Sequence, residues 1–135
     1  MAILYSSDFP DFEEIPDSVL DEMLKAGAEI VANEQRKTAK SMLGEKGRGD
    51  GTTAESVKVQ KPEASKRGGR QIAITFSGSR PNGNKTKRNA EVAFINEYGK
   101  SGQPAKQFIR IANETAADEA LGRQEAIYDD WLNSQ

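Results

Sequence analysis

The side chains that could do chemistry in this chain are carboxylates and cations, because the sequence has no histidine and no cysteine. Without histidine, the usual general base near neutral pH and the commonest metal ligand are missing. Without cysteine, disulfides, thiolate metal sites and thiol nucleophiles are excluded. The adjacent carboxylates Glu13-Glu14 and Asp129-Asp130 lie in acidic segments that offer no partner for acid–base catalysis. The sequence therefore predicts no enzyme, no metal site and no cofactor.

Charge is strongly segregated along the chain although the formal net charge is only −2. Residues 1–35 carry nine acidic side chains and one lysine, a net charge of −8, and residues 111–135 carry six acids and one arginine, a net charge of −5. Residues 36–110 carry 17 cations and six acids, a net charge of +11. Such asymmetry bears on partners and on electrostatic steering rather than on the fold.

Eight of the 17 central cations fall in two Gly- and Pro-containing connectors between apolar runs. They are Lys61, Lys66, Arg67 and Arg70 in the first connector, and Arg80, Lys85, Lys87 and Arg88 in the second. Two interpretations remain open at this point, a set of solvated loops or a face that contacts another subunit or DNA.

These connectors must be positioned by a small number of regular elements. Small, apolar and neutral residues recur every three, four or seven positions over residues 16–43 and predict one long helix; they are Leu20, Met23, Leu24, Gly27, Val31, Thr38 and Met42. A charged, Gly-rich stretch follows and predicts a flexible loop over residues 44–53. It has the spacing of neither a P-loop nor a dinucleotide-binding fingerprint.

Alternating apolar residues then predict antiparallel strands within residues 56–95. Val57 and Val59 mark the first strand, Ile72 to Phe76 the second, and Val92 to Ile95 the third. Residues 105–132 predict a C-terminal helix whose seam of mostly small residues permits close approach, with Gly122 a candidate kink; the seam consists of Ile109, Ala112, Ala116, Ala120, Ile127 and Trp131.

The predicted architecture is a single α+β domain over residues 1–135, with an N-terminal arm over residues 1–15. A small antiparallel sheet packs against the two helices, and the basic loops are flexible. Trp131 either completes the domain's own core or anchors a neighbouring subunit. Because the chain has no apolar run of about 18 residues, we expect a soluble protein with no membrane partner.

The most informative segment runs from residue 92 to residue 108. Val92, Phe94 and Ile95 precede Glu97-Tyr98-Gly99, then comes a polar turn with Pro104-Ala105, and Phe108 opens the helix. A weaker block upstream contains Gly51, Ser56 and Val57. This arrangement resembles the head-to-tail joining proteins, or neck and tail-completion proteins, of long-tailed double-stranded DNA phages, which are related to minor tail protein Z. Thr53 stands where the family has Leu, and Gln107 replaces its second Pro.

The resemblance implies a virion structural protein of the neck or tail, assembled in the host cytoplasm. It implies a ring of one chain, a hexamer or dodecamer, that also contacts other neck and tail proteins. The residues of the second block are expected to form a structural elbow rather than a chemical site. Each residue type has a physical reason in such an elbow. Gly99 permits a backbone conformation closed to other residues, Pro104 fixes φ before the helix, and Phe108 can enter the core.

In such a ring, we expect the acidic terminal segments of one protomer to face the basic connectors of the next, since a closed ring needs two different complementary surfaces. Contact of a basic connector with packaged DNA is an open alternative. The competing function is a stand-alone nucleic-acid-binding module, although no aromatic residue is interleaved with the cations of the connectors. A prophage-encoded adaptor or inhibitor also remains open.

Overall fold

The computed structural model describes residues 15–43 and 51–135, together with the backbone of Ala2–Ile3. The elements in chain order are β1 (Ala2–Ile3), α1 (Asp17–Leu43), α2 (Thr52–Glu55), β2 (Val57–Val59), β3 (Glu63–Ala64), β4 (Arg70–Gln71), β5 (Ala73–Phe76), β6 (Ser79–Asn82), β7 (Lys85–Arg88), α3 (Asn89–Tyr98) and α4 (Phe108–Asn133). Most of the predicted arm, and residues 44–50 of the predicted loop, lie outside the described residues.

Two long antiparallel helices, α1 and α4, form the scaffold. Near one end of the pair, the Gln124 amide donates a hydrogen bond to the carbonyl of Met23 (3.2 Å). Near the other end, the Gln35 amide donates to Asn113 Oδ1 (2.9 Å). The facing surfaces are built from buried alanines, which let the two backbones approach closely; they are Ala28, Ala32 and Ala39 in α1, and Ala112, Ala116 and Ala120 in α4.

A three-stranded antiparallel sheet with the order β1-β5-β2 packs against the helix pair. Its register pairs Val57 with Phe76 and places Val59 opposite Ile74. Val57, Ile74 and Phe76 are buried, and the Phe76 ring meets the Phe108 ring edge-on at a centroid distance of 5.9 Å. Strands covered on one side by helices make an α+β architecture, so the predicted fold class is confirmed.

The two basic connectors fold into separate two-stranded hairpins. In the β3–β4 hairpin, Glu63 pairs with Gln71 and Ala64 with Arg70. The β6–β7 hairpin is longer and pairs residues 79–82 with residues 85–88 around Gly83, whose φ is 66°. Backbone pairing therefore holds most of the connector cations on strands rather than on loops.

The predicted third strand at Val92 to Ile95 is wrong, because these residues lie inside helix α3. A short apolar run does not by itself distinguish a strand from a helix segment. The residues that α3 buries are Asn89, Ala93 and Glu97, spaced by four, which is a helical period. Phe94, which a one-sided strand would have placed in the core, is largely exposed.

The C-terminal helix differs from its prediction in two respects. It begins at Phe108 rather than Ala105, because residues 100–107 return along the end of α3 before the helix starts. It also continues through Gly122 without the break that a glycine inside the helix suggested. Trp131 is half-buried and packs near Ile127 and Tyr128, in a small cluster at the end of the helix pair.

Candidate functional site

The turn between α3 and α4 is organised by Glu97. This side chain is only 6% exposed, and its carboxylate accepts hydrogen bonds from the backbone N–H of Ile109 (2.6 Å) and Arg110 (3.3 Å). The first N–H groups of a helix have no partner within the helix, so an acceptor there acts as a cap. Gln107, which precedes α4, has a left-handed backbone (φ 50°) and makes no side-chain cap. Glu97 therefore supplies the cap from another helix.

Gly99 allows the chain to turn back on α3. Its φ is +80°, and a Cβ atom at this position would lie 2.8 Å from the backbone nitrogen of Ala105 and 2.8 Å from the carbonyl oxygen of Gln103. The N–H groups of Lys106 and Gln107 then donate to carbonyls at the end of α3, over 2.8 and 3.2 Å. The turn is thus a close backbone contact that only a glycine accommodates.

The remaining elbow residues separate into a buried and an exposed group. Phe108 is fully buried at the start of α4, while Pro104 and Ala105 are exposed. Phe94 and Tyr98 are 61% and 67% exposed, and their rings lie 4.7 Å apart. They border a groove of about 520 Å³ between α3 and α4, which we call the aromatic groove. Exposed paired aromatics of this kind are typical of protein interfaces.

The basic hairpins lie at opposite ends of α1. The β3–β4 hairpin is tied to the first turns of α1 by Arg70, and the β6–β7 hairpin lies beside Leu43 at its other end. Asp21, the partner of Arg70, is separated from Leu43 by about 33 Å at the rise of an α-helix. The two connectors therefore form two basic surfaces rather than one.

Arg70 is a structural residue of its hairpin. Its guanidinium donates to both carboxylate oxygens of Asp21, over 2.8 and 3.0 Å, and the side chain is 22% exposed. The hydrogen bond to Asp21 raises the pKa of Arg70 above its ordinary value. The other cations of this connector, Lys61, Lys66 and Arg67, are exposed. Arg70 thus joins the hairpin to α1, and the other three are left to face solvent or a partner.

Arg80 is held differently, by neutral oxygens. Its guanidinium donates to Asn89 Oδ1 (2.8 Å) and to Thr53 Oγ1 (2.7 Å), which joins β6 to α3 and α2. The buried Thr53 hydroxyl therefore has a defined role as an acceptor for Arg80. Because neither partner is a carboxylate, the positive charge of Arg80 is fixed in place without being neutralised by them.

Arg80 lies in a second groove, of about 470 Å³, bounded by the β6–β7 hairpin, α3 and the turn at residues 100–106. Its cations are Arg80, Lys87, Lys100 and Lys106, and its apolar side chains are Leu43, Val92, Ile95 and Pro104. No Asp or Glu is among the described side chains that line it. We call this the basic groove. Lys85 and Arg88 are exposed on the same hairpin but do not line it.

Sequence reasoning missed Lys100 and Lys106 as members of the basic groove. They lie in the polar turn of the elbow, which brings them to the β6–β7 hairpin only after the chain reverses at Gly99. A signal was present, since the turn 99–107 contains two lysines and no acid. Its distance in sequence from the second connector concealed the contact.

The described part of the chain shows no grouping of Asp and Glu that could hold a metal ion. None of its helices has the length and apolarity needed to cross a membrane. Comparison of the chain with known protein families, curated proteins and solved structures finds no match.

Proposed function

We propose that this chain is a structural protein of a long-tailed double-stranded DNA phage, which completes the joint between neck and tail by assembling into a ring. The sequence resemblance at residues 92–108 suggests this function. The observation that carries it is an acidic end of the helix pair, where α1 begins and α4 ends, opposite the basic groove at the other end. The cations of the β3–β4 hairpin lie beside the acidic end. A ring requires heterologous contacts, in which each copy offers two different complementary surfaces to its neighbours.

The acidic surface lies where the N-terminus of α1 meets the C-terminus of α4. It contains Asp17, Glu22, Asp129 and Asp130. The basic surface at the other end contains Lys37 and Lys40 of α1 together with the basic groove. Within the residues described, only two ion pairs occur, Arg70–Asp21 and Arg110–Glu114. Most of this charge is therefore left for contacts between molecules.

The aromatic groove supports assembly in a second way. Phe94 and Tyr98 expose large apolar rings, and Ile111 on the neighbouring helix is also exposed. Apolar side chains of this size contribute most of the binding energy of protein interfaces when they become buried. Charge would then orient neighbouring copies, and the aromatic side chains would hold them together.

The arrangement of α3 argues against the stand-alone nucleic-acid-binding alternative. Phe94 and Tyr98 border the aromatic groove, whereas Val92, Ile95 and Asn96 of the same helix line the basic groove. The exposed aromatics and the clustered cations therefore lie on different faces of α3. A stacking platform for single-stranded nucleic acid needs both on one face.

Light scattering coupled to size exclusion, over a concentration series at low and high salt, tests the proposal. We expect a discrete oligomer that negative-stain electron microscopy shows to be a ring and that dissociates as salt rises. Screening of opposed charges causes this dissociation, because the Debye length falls from about 30 Å at 0.01 M to about 3 Å at 1 M salt. A monomer at every concentration and salt that binds DNA with steep salt dependence would instead indicate the nucleic-acid-binding function.

A further inference from the structure

We infer that the basic groove of one protomer takes the acidic C-terminal end of α4 from a second copy of the chain, with Asp129 and Asp130 against its cations and Leu132 against its apolar side chains. This inference rests on the proposed ring and specifies which two surfaces meet. The contact joins two copies, because the two surfaces lie too far apart to meet within one molecule.

The groove is prepared for carboxylates by its fixed positive charge. Arg80 cannot turn away, since Asn89 and Thr53 hold its guanidinium over 2.8 and 2.7 Å. Lys87, Lys100 and Lys106 surround it, and no ion pair joins any of the four cations to a described carboxylate. Like charges gathered in one depression repel each other, and an incoming carboxylate relieves that repulsion.

The groove also selects more than charge, because its walls include apolar side chains. Leu43, Val92 and Ile95 are half-buried and line the same depression as the cations. A free anion would leave these side chains in water. A segment that carries a hydrophobic residue beside its carboxylates would cover both parts of the groove.

The end of α4 has this chemistry. Asp129 and Asp130 are exposed, and Leu132 is 49% exposed. Asp129 and Leu132 are three residues apart and lie next to each other on the helix surface. The described residues offer Asp129 and Asp130 no ion pair.

The position of the two carboxylates near the C-terminus of α4 favours binding of cations from another molecule. The last turn of α4 has no basic residue, so the negative end of the helix dipole meets Asp130 without compensation. Cations stabilise a helix C-terminus and carboxylates destabilise it. The basic groove of another copy would supply the missing positive charge at both carboxylates and at the helix end.

The two surfaces cannot meet within one molecule. The groove lies beside the N-terminus of α4, next to Lys106, whereas Asp130 lies near the C-terminus of the same helix. A straight helix places about 33 Å between Phe108 and Asp130. Contact between these surfaces must therefore join different copies. When it is not exchanged reciprocally within one pair, it is the heterologous contact that a ring requires.

A carbodiimide, which joins lysine amines to carboxylates in direct contact, tests this contact on the full-length protein. Copies labelled with ¹⁵N are mixed with unlabelled copies, and mass spectrometry identifies cross-links between them. We expect intermolecular links from Lys87, Lys100 or Lys106 to Asp129 or Asp130. The triple reversal K87E/K100E/K106E should abolish the oligomer, and mixing it with D129K/D130K protein should restore a hetero-oligomer.

The control is K61E/K66E/R67E, which changes the net charge by the same amount on the other hairpin and should keep the oligomer. Circular dichroism checks that each variant is folded. An oligomer that survives the groove reversal, or whose links map only elsewhere, overturns this contact but leaves the proposed ring intact. A wild-type protein that never self-associates contradicts both. Loss of DNA binding rather than of assembly in K87E/K100E/K106E would make the groove a phosphate site and overturn the inference.

Discussion

At the scale of single residues, Glu97 is expected to stabilise the fold through the backbone of another helix. Replacing it with Ala leaves the N–H groups of Ile109 and Arg110 without their acceptor, and we expect a loss of about 1–2 kcal/mol in the free energy of unfolding. Glu97→Gln should lose less, because its amide oxygen still accepts one bond. Urea denaturation measures both. Glu125→Ala, an exposed carboxylate of α4, is the control, and an equal loss there would contradict the capping role.

Gly99 offers a second residue-scale prediction with a matched control in the same turn. Gly99 and Gly102 both have φ of +80°, but a Cβ atom at Gly102 would meet nothing within 4 Å. Gly102→Ala should therefore cost only the left-handed backbone strain, about 1 kcal/mol. Gly99→Ala adds a collision with backbone atoms, and we expect about 3 kcal/mol in total. Equal losses of unfolding free energy for the two variants would show that the close contact does not matter.

The sequence predicted the need for Gly99 and the burial of Phe108, because their residue types have few other uses in a turn before a helix. It did not predict that Glu97 would be buried as a cap, since a glutamate in a polar segment is normally solvated. The buried Gln35 and Gln124 were missed for the same reason. Their amides serve hydrogen bonds to a partner helix, which no local pattern reveals.

At the scale of elements, the β3–β4 hairpin depends on Arg70 for its attachment to α1. We expect Arg70→Glu to lower the thermal midpoint, because it places a carboxylate against Asp21. The double reversal D21R/R70E should recover most of the loss. Arg67→Glu, at an exposed cation in the turn of the same hairpin, is the matched control and should leave the midpoint unchanged. Thermal unfolding followed by circular dichroism measures all three, and equal midpoints for R70E and R67E would contradict the attachment.

The long helices could be predicted from their period because each buries a continuous stripe over twenty residues. Helix α3 could not, since it has only ten residues and buries polar Asn89 and Glu97 beside Ala93. Most of its apolar residues are not buried in the core. Their spacing in the sequence therefore resembled that of a short strand, although the segment is helical. The hairpins were also hidden, because β3, β4, β6 and β7 contain little apolar content to mark them.

At the scale of the whole molecule, charge segregation predicted two unlike surfaces but not their positions. A charge reversal chosen from the sequence alone would combine cations of both connectors, such as Arg67, Arg70, Lys87 and Arg88. The fold places the first two at the opposite end of α1 from the others, and Arg70 is paired internally with Asp21. Reversing the charge of all four residues would therefore destabilise the fold through Arg70 and alter the proposed interface at the same time. Only the three-dimensional path of the elbow shows that Lys100 and Lys106 belong with Lys87.

The aromatic groove yields a prediction that separates assembly from stability. Phe94 and Tyr98 are largely exposed, so replacing both with Ala removes little buried surface from the monomer, and its thermal midpoint should change little. If a neighbouring copy covers them, their loss should cost about 2 kcal/mol or more of association free energy, a rise in dissociation constant of about 30-fold. Light scattering over a concentration series measures the dissociation constant. The control is Leu121→Ala, which removes a partly exposed apolar side chain from α4 instead of α3. Unchanged association in the F94A/Y98A variant would contradict a role of the aromatic pair in self-assembly, and the charged ends alone would then have to hold the ring.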